Sequence, residues 1–168
     1  IFVHNALVGY SLRDKIRIIA SGKVTSGFGM LKRLALGADA CYSARAMMMS
    51  LGCIQALKCN SNHCPVGVAT QEKHLAAGLV PSDKAPRVAS YHRETIRSLA
   101  EMLGALGLSS AEELRPWHLM HRISPTETRH YGELYNFLRD GDLLADELPA
   151  DYRRACDSAS AETFGHVE

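Results

Sequence analysis

Cys53, Cys59 and Cys64 fall within twelve positions of one another, in the stretch CIQALKCNSNHCPVGVATQ that runs from Cys53 to Gln71. Five residues separate the first pair, four separate the second, and Pro65 follows the last cysteine. This is neither the paired C-x-x-C of a zinc ribbon nor a thioredoxin motif. An iron–sulfur site suits it better, because a cluster needs several thiolates converging from an irregular loop, and Cys-Pro recurs in ferredoxin-type ligand runs. The competing reading is three buried structural thiols, since free cysteine packs as a small hydrophobe, and spacing alone leaves both open. Asn60, Ser61, Asn62 and His63 favour turns and can donate hydrogen bonds toward sulfur. His63 is a less economical iron ligand where three thiolates suffice, and Cys41 reads as a strand residue more readily than as a fourth ligand.

The elements that must position this loop are legible on either side of it. Ile1 to Leu12 has the apolar spacing of a helix end followed by a turn. Lys15 to Ala20, KIRIIA, is a short β-branched run bounded by Ser21-Gly22 and predicts a buried strand. Ser26 to Leu36 has Phe28, Leu31, Leu34 and Ala35 at helical spacing, with Ser26 as cap and Gly37 just past the end. Ala38 to Tyr42 returns as a second strand. Strand, helix and strand with short links predict a βαβ unit and parallel pairing. Met47-Met48-Met49 begins an apolar helix beneath the cysteine loop.

Past Pro81 the pattern becomes helical. Val88, Tyr91, His92, Ile96, Leu99, Met102 and Leu103 predict a long amphipathic helix over Asp83 to Gly104, opened by Ser82 or Asp83. Ser109 to Leu114 has capping residues for a short helix stopped by Pro116. Ser124 to Glu127 and Tyr131 to Leu138 predict another, and Asp140-Gly141 a turn. Asp151 to Glu168 is polar and small-residue-rich, as frayed ends are. His92, His118, His121 and His130 lack metal-ligand spacing.

Composition narrows the function classes. The chain has 168 residues, 46% hydrophobic and 22% charged, enough for one domain with a sizeable core. A net charge of +1 gives no electrostatic footprint for nucleic acid or an anionic membrane. No apolar run approaches a membrane span, and the N-terminal stretch lacks signal-peptide grammar, so a cytoplasmic location is expected. Five cysteines, three of them clustered, argue for reduced thiols rather than a secreted disulfide framework.

The run ALGADACYSARAMMMSLGCIQALKCNSNHCPVGVATQ resembles the flavin domain of glutamate synthase, most of all the short FMN-binding glutamate synthase family proteins. Specific motifs carry the resemblance over roughly residues 1 to 75, and it continues more loosely into the helical tail. It implies an α/β fold, the C-terminal portion of a (β/α)8 TIM barrel, with residues 15 to 20 as strand seven and 38 to 42 as strand eight. The implied organisation is barrel over 1–75 with the iron–sulfur loop at 53–71, helical tail over 76–140, and flexible C-terminus over 141–168. The resemblance implies a 3Fe-4S cluster held by Cys53, Cys59 and Cys64, and FMN whose phosphate is held by Gly22, Lys23, Ser43 and Arg45. Barrel phosphate sites lie in the loops after these two strands, where backbone amides and cationic side chains meet an anion. Taken without the resemblance, SGKVTSG is better read as an ordinary βα turn, with Lys23 and Arg45 facing solvent. Large glutamate synthases are glycine-rich where this chain has Tyr42-Ser43-Ala44-Arg45, which shifts phosphate contact toward side chains.

Two function classes follow. The first is part of an oxidoreductase that uses FMN and the cluster to reduce 2-iminoglutarate, formed from 2-oxoglutarate and ammonia, to L-glutamate. Its partners would be 2-oxoglutarate, ammonia or glutamine, and an electron donor. The catalytic residues facing the flavin ring are expected upstream of Ile1, in the rest of the barrel or another subunit. The second is a non-catalytic iron–sulfur or interaction module. Two strands of a barrel leave unpaired edges, so the chain is expected to be an oligomer or to cover them with the helix over 83–104.

Overall fold

The computed structural model describes residues 1–163. Helix α1 (Phe2–Gly9) leads into strand β1 (Ile19–Ala20), helix α2 (Gly27–Ala35) and strand β2 (Ala40–Cys41). β1 and β2 pair in parallel, Ile19 opposite Ala40 and Ala20 opposite Cys41, so the expected βαβ unit is present. Its strands are two residues each, shorter than the six- and five-residue runs the sequence suggests. The burial expected of the first strand is also absent: Ile16 is 44% and Ile19 49% exposed. No third strand flanks the pair among the described residues. The chain is therefore α/β with two small sheets, and no barrel closes among the described residues.

Local chemistry explains α2. The Ser26 hydroxyl accepts from the Gly29 amide at 3.2 Å, satisfying one of the free N–H groups of the first turn. At the other end Gly37 sits at φ +105°, and the Ala38 amide reaches back to the Arg33 carbonyl at 3.0 Å. That left-handed turn returns the chain directly into β2. A Cβ at Gly37 would stand 2.4 Å from the His4 ring, so a side chain is excluded by contact as well as by backbone.

Helix α3 (Ala44–Ser50) follows β2, and after the cysteine loop and the single turn α4 (Lys73–Ala76) comes α5 (Pro81–Ala105). α5 starts at Pro81, two residues ahead of Asp83, because proline's fixed φ and missing N–H suit the first helical position. It packs on α2 and α3. Leu31 and Ala35 of α2 meet Leu99 of α5, and Leu114, Leu119 and Tyr131 complete the core. Each buried Leu contributes about 1.5–3 kcal/mol. The long helix thus packs on α2 and the methionine helix.

The C-terminal third departs from an all-helical tail. One-turn 3-10 segments at Ala111–Glu113 and Pro116–His118 precede an antiparallel hairpin of β3 (Met120–Arg122) and β4 (Thr128–His130). The predicted helix over 131–138 is only the turn α6 (Tyr131–Leu134). Ser124-Pro125 forms the hairpin's tip, with the Ile123 amide donating to the Glu127 carbonyl. Part of the stretch 141–168, expected to be a flexible C-terminus, is helical. Helix α7 (Ala150–Ser158) docks on α1, its Tyr152 only 6% exposed and stacked on Phe2 with ring centroids 5.1 Å apart. Residues 164–168 of that expectation lie outside the described residues. No helix of the described residues is long and apolar enough to cross a membrane.

Candidate functional site

The parallel register puts the loops after β1 and β2 side by side at the carboxyl ends of the strands. Their link is direct: the Ser43 hydroxyl donates to the Val24 carbonyl at 2.7 Å. Gly22 adopts φ +90° with nothing within 4 Å of where a Cβ would stand, so the space over this turn is open. Lys23 adopts φ +53°, a left-handed backbone that costs a residue with a Cβ about 1–2 kcal/mol. Lys23 and Arg45 are both exposed, and no hydrogen bond or ion pair among the described residues engages either side chain. The sequence reading missed Arg33. From α2 its guanidinium donates to the Gly29 carbonyl at 2.8 Å and to the Gly22 carbonyl, bracing the turn. Its place in the last turn of α2 is legible in the sequence, but its reach back to Gly22 is not. Ser43, the Gly22-Lys23 turn and two or three cations around open space suit an anion such as a phosphate ester.

The cysteine loop begins where α3 ends. Cys53 is half-buried, Cys59 exposed and Cys64 buried, all three free. The backbone amides of Ala69, Val66, Val68 and Gly67 point at the Cys64 sulfur and, outweighing its burial, hold the thiol below its ordinary range. Cys53 Sγ accepts from the Gln55 amide at 3.5 Å. Iron–sulfur clusters are held by cysteine sulfurs, and backbone N–H groups directed at those sulfurs tune the cluster potential. In donor chemistry the loop fits the group. Geometrically, no three His, Cys, Asp or Glu side chains among the described residues stand close enough together to hold a metal ion, so the three thiols are not gathered around one centre. His63 points elsewhere, its Nδ1 2.6 Å from Glu72 Oε1. Asn62, at φ +65°, staples the far side: its Oδ1 accepts from the Gln71 amide at 2.6 Å and its carbonyl from the Thr70 hydroxyl. Cys41 lies in β2, where burial raises its thiol above the ordinary range despite the Arg33 charge nearby.

Comparison with known proteins decides the family. The family model described as "Conserved region in glutamate synthase" matches residues 1–109. The chain belongs to the glutamate synthase family. It is 38% identical over 120 residues to the "Glutamate synthase large subunit-like protein YerD" of Bacillus subtilis, covering 71% of this chain and 23% of the relative. With the "Archaeal glutamate synthase [NADPH]" of Methanocaldococcus jannaschii it shares 41% identity over 104 residues, 62% of this chain and 20% of that one. With the "Ferredoxin-dependent glutamate synthase" of Antithamnion sp. it shares 34% over 114 residues, 67% and 7% respectively. The chain therefore spans less than a quarter of the length of these relatives. Within this glutamate synthase family chain, the matched region runs from α1 to just past α5 and contains both loops and all three clustered cysteines. The 3-10 turns, the hairpin and α7 lie beyond it.

Proposed function

We propose that this chain supplies the phosphate-binding end of an FMN site and the cluster loop of a glutamate synthase-type oxidoreductase. The observation that carries the reading is the Ser43–Val24 hydrogen bond joining two cation-bearing loops at the same ends of parallel strands, within the family-matched region. Gly22 and Lys23 offer backbone amides and Lys23 and Arg45 charge to the phosphate, while Ser43 would serve it by turning its O–H from the Val24 carbonyl to donate to a phosphate oxygen. Cys53, Cys59 and Cys64 would hold a 3Fe-4S cluster, the amides at 66–69 favouring the thiolate form of Cys64. When bound, FMN and the cluster supply the electron and hydride chemistry that reduces 2-iminoglutarate, from 2-oxoglutarate and ammonia or glutamine, to L-glutamate. The electron donor and the groups facing the flavin ring belong to the remainder of a barrel or to another subunit, and two strands with open edges support assembly with one of these.

The test uses the full-length protein. Arg45→Ala removes a charged hydrogen-bond partner, about 1.5–3 kcal/mol, and so weakens FMN binding about 10- to 100-fold in a fluorescence titration. Unchanged FMN affinity rejects this role for Arg45.

A further inference from the structure

Between Cys53 and Cys59 the chain exposes two large apolar side chains with nothing packed on them. Ile54 is 66% and Leu57 86% exposed, the latter the most exposed large hydrophobic residue of the described chain. Leu57 (φ +55°) and Gln55 (φ +57°) both occupy the left-handed region, which carries a steric penalty for residues with a Cβ. Only local hydrogen bonds hold the segment: the Gln55 amide to Cys53 Sγ, and the Ser61 amide and hydroxyl to the Lys58 carbonyl. An exposed leucine on a strained, weakly tethered backbone has no contact that explains its conformation.

Near it lies an open groove with apolar walls. It runs between α3 and the N-terminal half of α5, about 660 Å³, with Met47, Leu51, Leu79, Val88 and Ala89 in its walls. Leu51 is both a wall of the groove and the start of the segment. Ile54, three residues on, has its Cα within about 11 Å of the Leu51 Cα on a fully extended backbone. A side chain built on Gly52 would begin 4.0 Å from Lys84 Nζ and from the Arg87 guanidinium, so the chain already turns toward α5 where it leaves α3.

We infer that residues 54–57 form a hydrophobic strap that closes into the α3/α5 groove when Cys53, Cys59 and Cys64 are drawn to a common centre. This rests on the cluster reading of those cysteines. Gathering the three sulfurs requires the backbone between them to move, and on closure Leu57 leaves its left-handed conformation and, with Ile54, moves toward Val88. Closure removes two exposed apolar side chains from water and dries the side of the loop facing α5.

Hydrogen exchange read by mass spectrometry on the full-length protein, iron-free and after anaerobic reconstitution with ferrous iron and sulfide, tests this. Iron and acid-labile sulfide are counted in the same samples. Reconstitution is expected to slow exchange in residues 53–59 and in 84–92 of α5 together, by about tenfold or more, as burial of a leucine-sized side chain implies. Leu57→Asp, harmless to the iron-free fold because Leu57 touches nothing there, is expected either to abolish the slowing in 84–92 or to reduce iron uptake. Iron uptake with no change in 84–92, or with a change that Leu57→Asp leaves intact, overturns the strap and spares the cluster reading. No iron uptake overturns both.

Discussion

Asn5 is the only polar side chain buried among the described residues, 1% exposed, and it ties α1 to chain more than 130 residues away. Its Nδ2 donates to the Asn136 carbonyl at 2.8 Å and to the Tyr152 hydroxyl at 2.7 Å, and its Oδ1 accepts from the Leu138 amide at 3.3 Å. Asn5→Leu keeps most of the volume and removes all three bonds, leaving a carbonyl, an amide and a hydroxyl facing hydrocarbon. At about 1 kcal/mol net per bond, the loss is about 3 kcal/mol, a large part of a stability of about 5–15 kcal/mol. Tyr152→Phe removes one of the three and keeps the stack on Phe2, so about 1 kcal/mol is expected. Urea unfolding gives the two values. Limited proteolysis reports whether cleavage within 136–158 rises in the same order, since this segment is held to α1 by these bonds and by the Leu143 amide on the Gly9 carbonyl. Equal losses for the two variants, or less than about 1 kcal/mol for Asn5→Leu, would refute the assignment of Asn5 as the tie.

Gly37→Ala forces a Cβ into a φ of +105° and to 2.4 Å from His4, so urea or thermal unfolding should register a loss of about 2–4 kcal/mol; a cost below about 1 kcal/mol would mean the turn relaxes freely. Cys64 and Cys41 should separate in pH–rate profiles of alkylation by iodoacetamide, followed by peptide mass spectrometry. Amides at Ala69, Val66, Val68 and Gly67 favour the Cys64 thiolate, whereas burial disfavours that of Cys41. As pH rises, the Cys64 profile should therefore turn up below the ordinary thiol range near pH 8.5 and that of Cys41 above it; the reverse order would contradict both causes.

The local elements of the first half were legible because their causes are local. Ser26, the apolar spacing of Leu31, Leu34 and Ala35, and Gly37 define α2 with its cap and its stop, and the short links on either side dictate parallel pairing. The cysteine loop could be placed from residue type and spacing for the same reason, whereas the candidate phosphate turns came from the family resemblance. The tail was misread where partners distant in sequence decide the outcome. Met120 to His130 carries no strong alternation, yet it pairs as a hairpin next to Leu119 and Tyr131, which are held in the core by α2 and α5. Asp151 to Ser158 looks frayed by composition, and it becomes helix because Tyr152 finds Phe2 and Asn5 at the other end of the chain. Arg33's reach to Gly22 and the amides converging on Cys64 depend on where a turn carries the backbone, which residue identity alone does not specify. Sequence determined the family, the βαβ unit and the candidate residues proposed for an anion and a metal cluster. Tertiary structure decided which loops meet, which strand stays uncovered and what ties the ends together, because those depend on contacts between residues far apart in the chain.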